Sequence, residues 1–243
     1  MFTWFHKLGS PPLLYRLARR VSPWFMAVAL ILLAVGLVGG LVLAPPDYQQ
    51  GDGFRIIYIH VPSAILSMAV FALMAVASAV GLIWRLRMAH AVTIAAAPIG
   101  AAFTFLALVT GSLWGKPMWG TYWVWDARLT SELVLLFLYF GAIAIIRAFG
   151  DQRTGDRAGA IFVLVGAVDL PIIHYSVQWW TTLHQGTTLK LSGSNISTSM
   201  LWPLLTMMVA FACYFIWLLA LRLRAEILRR EWRASWVGRL TAE

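Results

Sequence analysis

Charge is scarce in this sequence. Only 12% of its 243 residues are Asp, Glu, Lys or Arg, against about 25% in ordinary soluble domains. Hydrophobic residues make up 60%, so there is too little polar surface to coat a water-soluble core of this length. Lipid must be the main solvent. Cysteine is scarcer still, with Cys213 alone inside an apolar run. No disulfide can close within the chain, no CxxC is present to handle thiols, and cysteine usage leaves the compartment open. Internal repeats and low-complexity tracts are absent. The stretch Gly111-Ser-Leu-Trp-Gly-Lys116-Pro117 looks faintly like a phosphate loop, but it is one residue short and has Pro where Ser or Thr is required. It offers no ATP site. Asn195-Ile-Ser197 fits the glycosylation triplet, which is common by chance and carries no weight.

What is abundant is apolar runs of membrane length. A helix needs about 20 residues to cross roughly 30 Å of hydrocarbon. Six stretches qualify, at residues 23–43, 60–84, 91–113, 129–148, 158–178 and 200–221. None alternates like a membrane barrel strand. The fold class expected is an all-α integral membrane protein, a single domain over 1–243 with six transmembrane helices and both termini on one side. The first run is longer than a signal-peptide core and reads as a retained helix. Gly39-Gly40 and Pro171 are places where helices can bend.

The net charge of +9 would suit nucleic acid, but the basic residues stand at the ends of the apolar runs, which is a topology signal. Lys7, Arg16, Arg19 and Arg20 precede the first run, Arg85 and Arg87 follow the second, and Arg147, Arg153 and Arg157 follow the fourth. Arg222, Arg224, Arg229, Arg230, Arg233 and Arg239 close the chain. The opposite side has only Arg55, Lys116, Arg128 and Lys190. The basic side is therefore expected to be cytoplasmic, which puts the connections 44–59, 114–128 and 179–199 outside.

The second of these reads Trp114-Gly-Lys-Pro-Met-Trp119-Gly-Thr-Tyr122-Trp123-Val-Trp125-Asp126. Four tryptophans and a tyrosine fall within thirteen residues. Trp favours the headgroup level, so an aromatic belt is one reading. A belt spreads its aromatics around the protein; five in one connection read more sharply as a platform for a flat apolar ligand. His60, opening the second helix, and His184, in the last outer connection, face the same side. Neutral imidazole is the commonest metal ligand, and haem iron takes axial His. Two imidazoles beside an aromatic shelf make a haem seat, with Arg55 and Arg128 placed to meet the propionates. A lone outer histidine is more often a satisfied polar residue, and it is the co-location that favours ligation.

His6 and His90 lie on the cytoplasmic side and read as solvated. His174, near the outer end of the fifth helix, either lines the site or holds an internal hydrogen bond. Asp169 lies deeper, where a carboxyl is costly and functional by default, or else protonated or bonded. Glu132 opens the fourth helix, where an acid suits the dipole.

On these residues the chain resembles the tryptophan-rich WWD superfamily of haem-handling proteins, through Trp119-Gly-Thr-Tyr-Trp-Val-Trp-Asp126. Within it the chain is similar to the haem exporter protein C (CcmC) family of bacterial cytochrome c maturation. The likeness runs through Asp47-Tyr-Gln-Gln-Gly51, Arg55-Ile-Ile-Tyr-Ile-His60-Val-Pro62, Gly111 to Pro117, and Trp125-Asp-Ala-Arg-Leu-Thr-Ser-Glu132. It continues in Leu170-Pro-Ile-Ile-His174-Tyr-Ser176 and Trp179-Trp-Thr-Thr-Leu-His184-Gln-Gly186. The resemblance implies a non-enzymatic carrier in the bacterial inner membrane, with haem b as transported ligand and its site facing the periplasm. It implies axial ligands at His60 and His184, and cofactor-binding residues at Trp114, Trp119, Trp123, Trp125, Asp126, Arg55 and Arg128. Tyr122 stands where relatives often carry a further tryptophan. The implied partners are a periplasmic haem chaperone (CcmE-like), ATP-binding and membrane subunits (CcmA- and CcmB-like) and a small single-helix subunit (CcmD-like). Two other classes compete: a proton-coupled transporter relaying through Asp169, Glu132 and His174, and a b-type cytochrome with haem buried between helices.

Overall fold

The computed structural model of the chain describes residues 9–184, 189–190, 193–194 and 196–240. His6, Lys7, Gly186 and Asn195 lie outside the described residues, as does the Lys190 side chain. Six helices are long and apolar enough to cross a membrane, over Pro11–Leu43, Asp52–Ile83, Arg87–Trp119, Ala127–Ala148, Gln152–Trp179 and Thr198–Arg230. In the absence of water a spanning backbone must satisfy its own polar groups, which is why apolar runs of this length close into helices.

Most spans outrun the apolar stretches that mark them. Helix α1 (Pro11–Val38) begins at two prolines after Ser10, where a missing N–H costs nothing and φ is already helical. Its first turns carry exposed Arg16, Arg19 and Arg20 while Tyr15 and Ala18 are buried, so charged heads reach outward from apolar stems. Gly39–Leu43 then continue as a π-helical turn, with the Ala44 amide donating to the Gly39 carbonyl at 2.8 Å. A short 3-10 turn (Asp52–Ile56) leads into α2 (Ile57–Ile83), followed by α3 (Arg87–Trp119) and α4 (Ala127–Ala148). The fifth span is broken into α5 (Gln152–Gly166) and α6 (Asp169–Trp179). Pro171 accounts for the break, because it has no N–H for the Ala167 carbonyl and its ring crowds that same carbonyl. Helix α7 (Thr198–Arg230) and the short α8 (Ser235–Leu240) complete the chain. Leu189–Lys190 pair antiparallel with Gly193–Ser194 before α7.

The bundle has two chemically different ends. Tyr15 and Trp236 meet with ring centres 5.7 Å apart, so the start of the first helix meets the last helix, at the end that carries Arg85, Arg153 and Arg230. Asp151 caps α5 there, accepting from the amide and hydroxyl of Thr154 at 2.8 and 2.7 Å. These bonds hold its carboxyl below the usual carboxylate range. Between the ends runs a core that includes Tyr58, Phe71, Met74, Leu135, Tyr139 and Met207. Its interior polar groups pair off. The Ser67 hydroxyl donates to Glu132 at 2.6 Å, and the Tyr139 hydroxyl donates to the Ser67 carbonyl at 2.6 Å.

Helix α1 lies against α7 along small residues, as membrane helices commonly do where no hydrophobic drive separates them from lipid. A Cβ on Gly36 would come within 2.5 Å of Met207 Sδ, and one on Gly39 within 2.3 Å of the Trp202 ring. Gly36→Leu or Gly39→Leu should therefore push α1 off α7. We expect a loss of about 1–3 kcal/mol, read as a lower thermal unfolding midpoint in detergent; an unchanged midpoint would show that α1 is not anchored through this stripe.

Candidate functional site

His60 stands in the first turn of α2, and its ring points at α3. Nδ1 lies 3.1 Å from the Ala107 carbonyl and 3.1 Å from Thr110 Oγ1. A carbonyl can only accept, and the Thr110 hydroxyl spends its own proton on the Leu106 carbonyl at 2.6 Å. Nδ1 must therefore carry the hydrogen, which leaves Nε2 as the lone-pair nitrogen. This is the arrangement that metal-binding imidazoles use, with the far N–H donated to a carbonyl. Gly111 makes room for it, since a Cβ there would come within 3.0 Å of His60 Cε1.

A small cleft of about 80 Å³ opens beside this ring. Ala64, Ala107 and Gly111 keep it narrow and apolar, and Trp114, Trp119, Arg128 and His184 line it with Gln50 and Glu132. The His60 and His184 ring centres are 6.4 Å apart, with planes inclined by 37°. A metal–imidazole bond is about 2.0–2.1 Å long and the ring centre lies about 1.2 Å beyond the nitrogen, so two imidazoles flanking one iron have centres about 6.4 Å apart. Trp119 approaches the His184 ring at 6.3 Å, and Trp114 meets His60 edge-on at 5.7 Å. No group of three or more His, Cys, Asp or Glu side chains able to hold a bare metal ion is found among the described residues.

The tryptophan-rich segment is not one loop. Trp114 and Trp119 belong to the last turns of α3, which ends only at Gly120. That residue has φ +76°, a left-handed C-terminal position that glycine takes without strain. The four tryptophans accordingly divide. Trp114 and Trp119 face the cleft, with the Trp114 indole donating to Gln50 at 3.0 Å. Trp123 packs toward the core with its Nε1 unpartnered, and Trp125 stands 77% exposed, edge-on to it. The two arginines divide as well. Arg128 borders the cleft and donates to the Ile173 carbonyl at 2.7 Å. Arg55 is outside the cleft, donating to the Gly40 carbonyl at 2.7 Å and to Asp52 at 2.9 Å. It ties the π-turn of α1 to the start of α2.

Asp126 has a second use. It caps α4 by accepting from the Leu129 amide at 2.8 Å, and its other oxygen accepts from the Thr182 hydroxyl. Thr182 Oγ1 in turn accepts from the His184 amide at 3.1 Å. The acid that ends the tryptophan motif therefore holds the segment that presents the second histidine. Thr182 and Gln50 carry no signal in the sequence beyond their place in stretches shared with a family. Glu132, read first as a helix-dipole residue, is buried at the cleft and bonded to Ser67. Asp169 is buried at the break in the fifth span with Oδ2 unpartnered. His174 is exposed, edge-on to Tyr175 and outside the cleft. His90, expected to be solvated, is instead 8% exposed, because α3 packs its ring over Gly81 of α2.

Comparison with known proteins places these features in one group. A family model described as "Heme exporter protein C" matches residues 4–238. The chain is 50% identical to "Heme exporter protein C" of Haemophilus influenzae over 241 residues, which covers 99% of this chain and 98% of that protein. It is 52% identical to the Escherichia coli K12 protein of that name over 240 residues, 99% and 97% of the two chains. A Bradyrhizobium diazoefficiens relative with the same name is 52% identical over 228 residues, 93% of this chain and 86% of its own.

The link from Asp126 through Thr182 to His184 is open to direct test. Thr182→Val keeps the side-chain shape but removes both bonds, and should raise amide hydrogen exchange around 180–184 by about tenfold, the effect of losing roughly 1.4 kcal/mol. Thr182→Ser should restore protection. Equal exchange in all three proteins would dissolve the link.

Proposed function

The chain belongs to the haem exporter protein C family, and from that membership we propose that it binds haem between His60 and His184 and delivers it to a periplasmic haem chaperone. The family supports a part in haem export for cytochrome c maturation by a multi-pass membrane protein. The finer reading rests above all on the two imidazoles, whose ring centres stand 6.4 Å apart with His60 Nδ1–H committed to Ala107.

Haem b is cargo here. His60 and His184 are its axial ligands, and Trp114 and Trp119 cover the ring beside them. Arg128 meets a propionate, and Glu132, one turn along α4, is buried at the cleft and bonded to Ser67. The cleft holds about 80 Å³, well below the roughly 300 Å³ at which pockets enclose whole ligands. A ring centred on an iron between the two imidazoles is larger than this space, so Trp114 and Trp119 cover part of it and an edge stays open. An open edge of this kind is what a chaperone needs in order to capture the ring. Trp123 and Trp125 border that edge, and Arg55 acts on it through the α1–α2 tie. Release requires both iron–imidazole bonds to break, and a CcmA-like ATPase with its CcmB-like membrane partner supplies the work by shifting helices against one another. A CcmD-like single helix completes the assembly.

Orientation follows from charge. The arginine-rich end is cytoplasmic in a bacterial inner membrane, and the cleft, at the other end, opens to the periplasm.

His60→Ala and His184→Ala should each lose most of the haem that co-purifies with the wild type and should stop chaperone loading. The optical spectrum of the purified proteins reads this, and an unaltered spectrum in His184→Ala would remove that residue as a ligand. Trp119→Ala should lower loading several-fold with insertion intact. Full loading in that variant would return the tryptophans to the role of a membrane belt. Haem that stays bound and cycles with quinone would point instead to electron transfer.

A further inference from the structure

A second and far larger cavity, about 820 Å³, opens at the opposite end of the bundle. It lies where α2 and α7 end and where α3 and α5 begin, so its mouth is level with the ends of the apolar spans. Its floor is built from buried charge. Arg230, whose side chain is 3% exposed, holds Asp156 through two bonds of 2.7 and 2.9 Å and Glu226 through one of 2.5 Å. Of the other acids that line it, Glu231 pairs with Arg87 at 3.0 Å, while Asp151 is bonded by Thr154 and keeps its negative charge, which the unpaired arginines of the rim outnumber.

What remains at the rim is positive. Arg85, Arg153 and Arg157 line the cavity, are exposed, and form no ion pair within 4.0 Å among the described residues. Arg85 has φ +56°, the one positive φ outside glycine among those residues. A left-handed arginine is uncommon, and such backbone persists where its surroundings hold it. In the wall, buried His90 has Nδ1 without a hydrogen-bond partner. Ile83 and Trp84, which run directly into Arg85, are 66% and 50% exposed and give the mouth an apolar flank.

We infer that this cavity is a binding site for a phosphate-bearing anion, held by Arg85, Arg153 and Arg157. Guanidinium forks match phosphate oxygens in pairs, and an acyl-linked phosphate would lay its chains along Ile83 and Trp84. The same three forks would take a free phosphate. The site is independent of the haem cleft and of what the cleft carries. Scattered topogenic arginines would give the same net charge without the convergence, so the test must compare arginines inside the cavity with others at the same end.

The full-length protein is placed in phosphatidylcholine nanodiscs containing a minor share of phosphatidylglycerol, and the lipid it keeps through a detergent wash is counted by native mass spectrometry. Wild type should retain phosphatidylglycerol over phosphatidylcholine. R85Q/R153Q/R157Q should retain it at least about tenfold less, since the guanidinium forks that pair with the phosphate oxygens are gone. R16Q/R19Q/R20Q removes as many charges from exposed positions outside the cavity and should retain it like wild type. In pure phosphatidylcholine, a rise in unfolding midpoint with inorganic phosphate, seen in wild type and absent from the cavity variant, would support the same site with a soluble ligand. Equal losses in both triple variants would overturn the inference. So would a wild type that neither prefers phosphatidylglycerol nor responds to phosphate, whatever the variants do.

Discussion

At the cleft end, the rest of the arrangement depends on the His60 ring donating Nδ1–H to a carbonyl of the neighbouring helix, 3.1 Å away. That bond chooses the tautomer, aims the other nitrogen, and holds the ring at a fixed height against α3. Gly111 leaves space beside the ring, and Thr110 turns its own proton back to Leu106, so Nδ1 meets only acceptors. Helix packing thus sets the chemistry of one imidazole before any ligand arrives.

The second imidazole is held by a different device. His184 stands on a connection, where backbone alone would fix little. Asp126 binds Thr182 and Thr182 binds the His184 amide, so the connection is tied to the capped start of α4. One histidine is positioned by a helix and the other by a chain of side-chain bonds.

Charge is divided between the ends with similar economy. In the bundle interior, polar groups such as Ser67, Glu132 and Tyr139 satisfy one another, as a low-dielectric medium demands. Buried atoms left without a partner include Trp123 Nε1, Asp169 Oδ2 and His90 Nδ1. The first packs toward the core, the second lies at the broken fifth span, and the third lines the arginine-rimmed cavity.

Composition and run length alone determined that six helices cross a membrane and which end is basic, because hydrocarbon admits few other backbones and the count of apolar residues measures its thickness. The histidines, Arg128 and the tryptophan cluster were visible as residue types at the right ends of their helices. Only the tertiary structure decided that Trp114 and Trp119 share the cleft while Trp123 and Trp125 do not, that Arg55 is committed to Gly40, and that Gln50 and Thr182 belong to the neighbourhood. It also decided that Glu132 faces the histidines and that His90 is buried. Those facts depend on the rotation of each helix about its axis and on where α3 stops, and both are settled by side-chain packing between segments far apart in the chain, which no local pattern of residues encodes.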